Sequence, residues 1–123
     1  MKLPYFLIDA FTDRAFTGNP AAVYVLKEPL SDDLMQKIAA EMNLSETAFV
    51  LRSRSATRLR WFTPTTEVDL CGHATLASAH ALFTAIDQPR SGVITFDSAS
   101  GALICKQTPA GIRLDFPATP PSP

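Results

Sequence analysis

Fifteen consecutive residues, from Gly72 to Ile86, contain no Asp, Glu, Lys or Arg. They read Gly-His-Ala-Thr-Leu-Ala-Ser-Ala-His-Ala-Leu-Phe-Thr-Ala-Ile, a composition that favours helix and offers no charged face. A surface helix carries a polar stripe on its solvent side, so one without it is expected to be surrounded by protein. The many Ala and Ser residues allow other backbones to come close. The rest of a 123-residue chain must therefore be arranged to cover this segment.

What flanks it is mainly strand. Residues 3–11 and 21–26 are β-rich runs separated by the turn residues Thr17-Gly-Asn-Pro20, which predicts a hairpin-like pair. Ser31 reads as an N-cap, and Asp32 and Asp33 suit the first turn of the helix that follows. Leu34, Ile38 and Met42 recur at helical spacing, so this helix buries one face and ends near Asn43. Strands are expected at about 45–51 and 57–63, a turn at Thr63–Thr66, and three further strands at about 91–97, 101–106 and 111–116. Short Ser/Gly and Pro-Ala-Gly turns join the last three, as antiparallel neighbours require. The expectation is an α+β fold, a mostly antiparallel sheet wrapped around a central apolar helix. One domain spans 1–116; residues 117–123, Pro-Ala-Thr-Pro-Pro-Ser-Pro, form a proline-rich tail or the start of an interdomain linker.

The totals exclude several classes. Eleven basic and twelve acidic residues leave a net charge of −1, so no bulk field favours nucleic acid or an anionic membrane surface. No apolar run has the length of a membrane span, and the apolar stretch at the start is too short for a signal peptide. With only Cys71 and Cys105, neither a disulfide framework nor a structural metal site is indicated. The chain reads as cytoplasmic.

Two places carry more chemistry than packing requires. Glu46 is the single carboxylate in the run Asn43-Leu-Ser-Glu-Thr-Ala-Phe49. Strand alternation puts it on one face with Ala48 and Val50; if that face is covered, desolvation raises its pKa into the range useful to a general acid/base. The bland alternative is an exposed residue at a strand start. The second place is Cys71-Gly-His-Ala74, where the uncharged helix begins. Free N–H groups and the positive end of the helix dipole suit a carboxylate or oxyanion, would lower the pKa of a thiol at Cys71, and favour neutral imidazole at His73. The alternatives are a small buried hydrophobe at Cys71 and a capping residue at His73. His80 and Cys105 read as core. Arg52, Arg54, Arg58 and Arg60, all even-numbered, suggest a basic patch, although such a set is usually a solvated sheet face.

Five segments carry a family resemblance. They are Asp9-Ala-Phe-Thr, Phe16-Thr-Gly-Asn-Pro-Ala-Ala-Val23, Glu41-Met-Asn-Leu-Ser-Glu-Thr-Ala-Phe49, Arg60-Trp-Phe-Thr-Pro-Thr65 and Glu67-Val-Asp-Leu-Cys-Gly-His-Ala-Thr-Leu-Ala77, and the likeness continues through Asp115-Phe-Pro117. In this order and spacing they resemble the PhzF family, named for the phenazine-biosynthesis isomerase and related to the diaminopimelate epimerase fold. The resemblance implies two pseudo-symmetric domains with the active site in the cleft between them, of which this chain holds one. It implies Glu46 as the acid/base, with Asn19, Gly72, His73 and Ala74 binding a small carboxylated metabolite. Cys71 falls where the related epimerases place their first catalytic thiol. Such proton transfer requires no metal or organic cofactor. The missing half implies either a fragment or truncated gene product, or a partner that completes the site, a homodimer mate or a second half-domain; the competing expectation is a catalytically silent half that dimerises or binds ligand.

Overall fold

A computed structural model of the chain describes residues 5–10, 19–53, 56–69, 71–83, 92–109 and 111–115. Residues 17–18, expected in a turn, Arg54, residues 84–86 of the charge-free run and the proline-rich segment 117–123 lie outside them. Ten elements follow in order: β1 (Tyr5–Ala10), β2 (Asn19–Leu26), α1 (Asp32–Met42), β3 (Glu46–Arg52), β4 (Thr57–Phe62), β5 (Glu67–Val68), α2 (Gly72–Ala81), β6 (Val93–Ser98), β7 (Gly101–Thr108) and β8 (Gly111–Asp115).

The strands form one mixed sheet in the order β1-β2-β3-β4-β6-β7-β8, with β5 paired to β4. With the two helices it makes a half-barrel. The hairpins expected from turn chemistry are present: β1 with β2, β6 with β7 and β7 with β8 are antiparallel, and β3 with β4 forms a further antiparallel pair. Two pairings depart from the expectation of antiparallel neighbours. Strands β2 and β3 are parallel, and so are β4 and β6. A parallel pair needs a crossover, and α1 and α2 supply one each.

The helices lie on opposite faces of the sheet. On one side α1 places Met35 and Ala39 against Ala22, Tyr24, Leu26, Phe49 and Phe62. On the other, the Ala-rich α2 packs with Ala21, Val23, Ala48, Val50, Leu59 and Trp61, together with Phe96, Leu103 and Cys105 from the far strands. Burying side chains of Trp61 or Phe96 size contributes on the order of 2–3 kcal/mol each. Helix α2 touches β1, β2 and β3 at one end of the sheet order and β8 at the other.

The cover is incomplete. Ala74, Thr75, Ala77, Ser78, Ala79 and Ala81 are buried, but His80, expected in the core, is exposed and Leu76 is half-buried. These two positions stand one turn apart, so the open side is a stripe rather than a frayed end. The absence of charge in the sequence marks a helix covered on most sides, and one imidazole is enough for the remaining stripe.

Candidate functional site

Glu46 is positioned by the way α1 ends. Ser31 caps the start, accepting from the Leu34 N–H at 3.1 Å, and Asn43 closes the far end in the left-handed conformation (φ 53°, ψ 38°). Asn tolerates that region better than other non-glycine residues. Its N–H donates to Ala39 O at 3.1 Å, after which Leu44 and Ser45 lead directly into β3. Glu46 opens that strand in parallel register with Ala21, while Val23 registers with Ala48. The expected alternation holds: Ala48 and Val50 belong to the α2 side, Phe49 to the α1 side. Glu46 therefore starts the α2 side of β3. It is half-buried, and its side chain makes no hydrogen bond or ion pair with the described residues.

The start of α2 is held by a chain of hydrogen bonds through Thr75. The Trp61 indole N–H donates to Thr75 Oγ1 at 3.1 Å, and that hydroxyl donates to Cys71 O at 2.7 Å. Thr75 N–H also donates to Cys71 O, at 3.0 Å. All of Trp61 and Thr75 is buried, so each polar atom needs its partner. Behind this, Ser100 Oγ donates to Asp69 O at 2.7 Å, tying the β6–β7 turn to the segment that enters α2.

The same bonds relate the two expected site regions. Trp61 stands opposite Ala48 in the β3–β4 register, and Glu46 is the next residue on that face, roughly 7 Å along the strand. Glu46 and the first turn of α2 thus lie on one face and towards one end of the sheet. Asn19 begins β2 two residues before Ala21, the neighbour of Glu46.

Cys71 is the N-cap itself. Its backbone is extended (φ −146°, ψ 100°) and its Sγ accepts from the Ala74 N–H at 3.4 Å. One of the three amides expected to face an anion is thereby engaged by sulfur, which leaves those of Gly72 and His73 in the first turn. Cys105 behaves as core: it is fully buried, and desolvation with the nearby Asp115 charge pushes its thiol up to about 12. Neither cysteine is in a disulfide.

The arginine patch does not form as expected, because the antiparallel register pairs even residues with odd ones. Leu51 opposes Arg58 and Arg52 opposes Thr57, which puts Arg52 on the α2 side and Arg58 and Arg60 on the α1 side. Arg60 is already committed. Its Nε and Nη2 bind Glu67 at 2.7 Å each, its Nη1 binds Asp32 at 2.8 Å, and its guanidinium lies 5.4 Å from the Phe62 ring centroid. These carboxylates raise the Arg60 pKa further, and Arg60 holds the Asp32 carboxyl below its usual range. Thr75 and Trp61 position the site without having been singled out by sequence, and Asn43 was read there only as a helix end. The signals present were a strand tryptophan needing an acceptor and an Asn at a helix end. Among the described residues no group of His, Cys, Asp and Glu could hold a metal ion, and no helix is long and apolar enough to cross a membrane.

Comparison with known proteins follows the same lines. Residues 8–121 match the PhzC-PhzF family, described as phenazine biosynthesis-like protein. An uncharacterized isomerase of Pseudomonas aeruginosa is 55% identical over 122 residues, covering 99% of this chain and 46% of its own. The crystal structure of a PhzF-family phenazine biosynthesis protein from Enterococcus faecalis superposes with a TM-score of 0.83 at 49% identity, over 89% of this chain and 42% of that one. A protein described as a predicted epimerase, also from P. aeruginosa, superposes at 0.74 with 30% identity, over 90% and 41%. The chain belongs to the PhzC-PhzF family, and it spans about half the length of the relatives it matches.

Proposed function

We propose, with membership of the PhzC-PhzF family as the premise, that this chain is one half of a cytoplasmic isomerase that moves a proton on a small carboxylated substrate. Glu46 removes a proton from a carbon made acidic by the substrate's own unsaturation or carboxylate, and returns it to another position or face. The bond electrons left on the substrate are delocalised toward its carboxylate. The Gly72 and His73 amides at the start of α2 hold that carboxylate, and the His73 side chain and Asn19 add hydrogen bonds. Cys71 is a second candidate for proton exchange on the opposite side of the substrate. With the sister domain in place, α2 is the central helix of its half and the cleft excludes water.

The observation that supports this reading is the shared face and shared sheet end of Glu46 and the first turn of α2, set by the Ala48–Trp61 register and the Trp61–Thr75 hydrogen bond. Glutamine keeps the shape of the glutamate and cannot exchange a proton. In a protein completed by its second half, Glu46→Gln is expected to lower turnover by at least about a hundredfold with KM little changed. Equal turnover of the two forms would remove Glu46 from the mechanism.

A second reading is favoured by the 46% coverage of the relative: a catalytically silent half-domain that dimerises or binds ligand. It predicts ligand-induced shifts at Gly72 and His73 with no turnover in any assembly.

A further inference from the structure

On the α1 side of the sheet, away from Glu46, a groove of about 160 Å³ opens between the end of β2, the loop into α1, and strands β3 and β4. Leu26, Met35, Phe49 and Leu51 supply most of its apolar lining, and Arg58 and Arg60 complete it. The two arginines differ. Arg60 spends three of its donors on Asp32 and Glu67. The Arg58 side chain, exposed and flanked in the sheet register by Leu51 and Asp97, makes no hydrogen bond or ion pair with the described residues.

An uncommitted guanidinium beside an apolar groove suits an anion whose remainder is hydrophobic, because the fork pairs a carboxylate through two parallel bonds. The volume suits a small body: a cavity of about 150 Å³ holds one benzene ring. No lining side chain carries a carboxylate, amide or hydroxyl to accept a hydrogen bond, so a sugar would leave its hydroxyl donors unanswered there. We propose that this groove binds a small hydrophobic carboxylate, a short branched aliphatic or monocyclic aromatic acid, with its carboxylate on Arg58 and its apolar body against Phe49 and Leu51. The site is separate from the proposed cleft, because Phe49 and Leu51 alternate with the Glu46–Ala48–Val50 face.

The test is an amide-resonance titration of the 123-residue chain with benzoate, and with benzamide as the neutral match. Benzoate is expected to shift Leu26, Phe49, Leu51 and Arg58 saturably, with a Kd of about 1–10 mM. Benzamide should bind at least about fivefold more weakly, and Arg58→Gln should weaken benzoate by a similar factor. Arg58 is exposed, so the variant keeps the fold, and Arg58→Lys should recover part of the affinity. Absence of saturable shifts around Leu51 and Arg58, equal binding of benzamide, or an unchanged Kd in Arg58→Gln would each overturn the proposal. Shifts at Gly72 and His73 report the cleft instead, and they should survive Arg58→Gln, so the two sites fail separately.

Discussion

Glu46 owes its place to Asn43, three residues earlier, which turns the chain out of α1 in the left-handed conformation and delivers it to β3. Glycine adopts that conformation freely, so Asn43→Gly should be nearly neutral. A β-branched residue cannot, and Asn43→Val should cost about 1–2 kcal/mol in denaturant melts. The glutamate itself was legible as a single carboxylate in an apolar run, and its face followed from period-two alternation. The arginines were not legible in the same way. Parity predicts a common face only when the register pairs like with like, and here Phe49 faces Arg60 and Leu51 faces Arg58. Cysteine chemistry divides along burial. Cys105 holds its proton more tightly folded than unfolded, with a pKa raised to about 12. Its contribution to stability is therefore complete below the unfolded thiol value of about 8.5 and declines as pH rises toward 12. Alkylation of native protein near pH 8 should modify half-exposed Cys71 first and spare Cys105 until the chain unfolds. Early modification of Cys105 would show that this part of the core opens locally.

At the scale of elements, most boundaries followed from local chemistry: Ser31 and Asn43 bracket α1, and turn residues separate β6, β7 and β8. The parallel pairings of β2 with β3 and β4 with β6 did not, because turns report only on sequential neighbours and a crossover is decided by where its helix packs. The two-residue β5 is too short to leave a periodic signal. What fixes α2 is equally non-local. Thr75 accepts from Trp61 and donates to the Cys71 carbonyl, so Thr75→Val keeps the shape and strands a buried indole N–H. A loss of about 1–3 kcal/mol is expected, with altered tryptophan fluorescence in the folded state. The Asp32–Arg60–Glu67 set joins α1, β4 and β5 at the surface. Glu67 holds Arg60 by two bonds, so Glu67→Gln should cost up to about 1 kcal/mol of stability and leave turnover unchanged. Asp32 has a depressed carboxyl, so its contribution is present above the unfolded value of about 3.9 and is lost as pH falls through the lower folded value. An acid melt of Arg60→Met should accordingly lack part of the wild-type loss in that range.

At the scale of the whole molecule, the decisive fact is that the sheet formed by the described residues is not closed. Strands β1 and β8 end the sheet order, yet both contact α2, so two edges flank the same helix. On the β1 edge Tyr5 is 50% and Leu7 61% exposed, large apolar side chains beside backbone groups that no strand among the described residues pairs with on that side. Exposed edges of this kind recruit other chains unless charge or proline blocks them. The P. aeruginosa relative matched here is more than twice as long, which supports a second half as the natural cover. When only these residues are present, we propose that a second copy takes that role, giving a two-fold dimer. Sedimentation at tens of micromolar should show a dimer, and Leu7→Lys should shift it toward monomer without lowering the melting temperature of the fold. Turnover should track completion of the cleft: absent in monomer, and restored only where a partner supplies the second wall. A verified monomer with full isomerase activity would overturn the half-site proposal. A stable dimer that binds carboxylates at Gly72 and His73 without turnover would favour the silent-module reading.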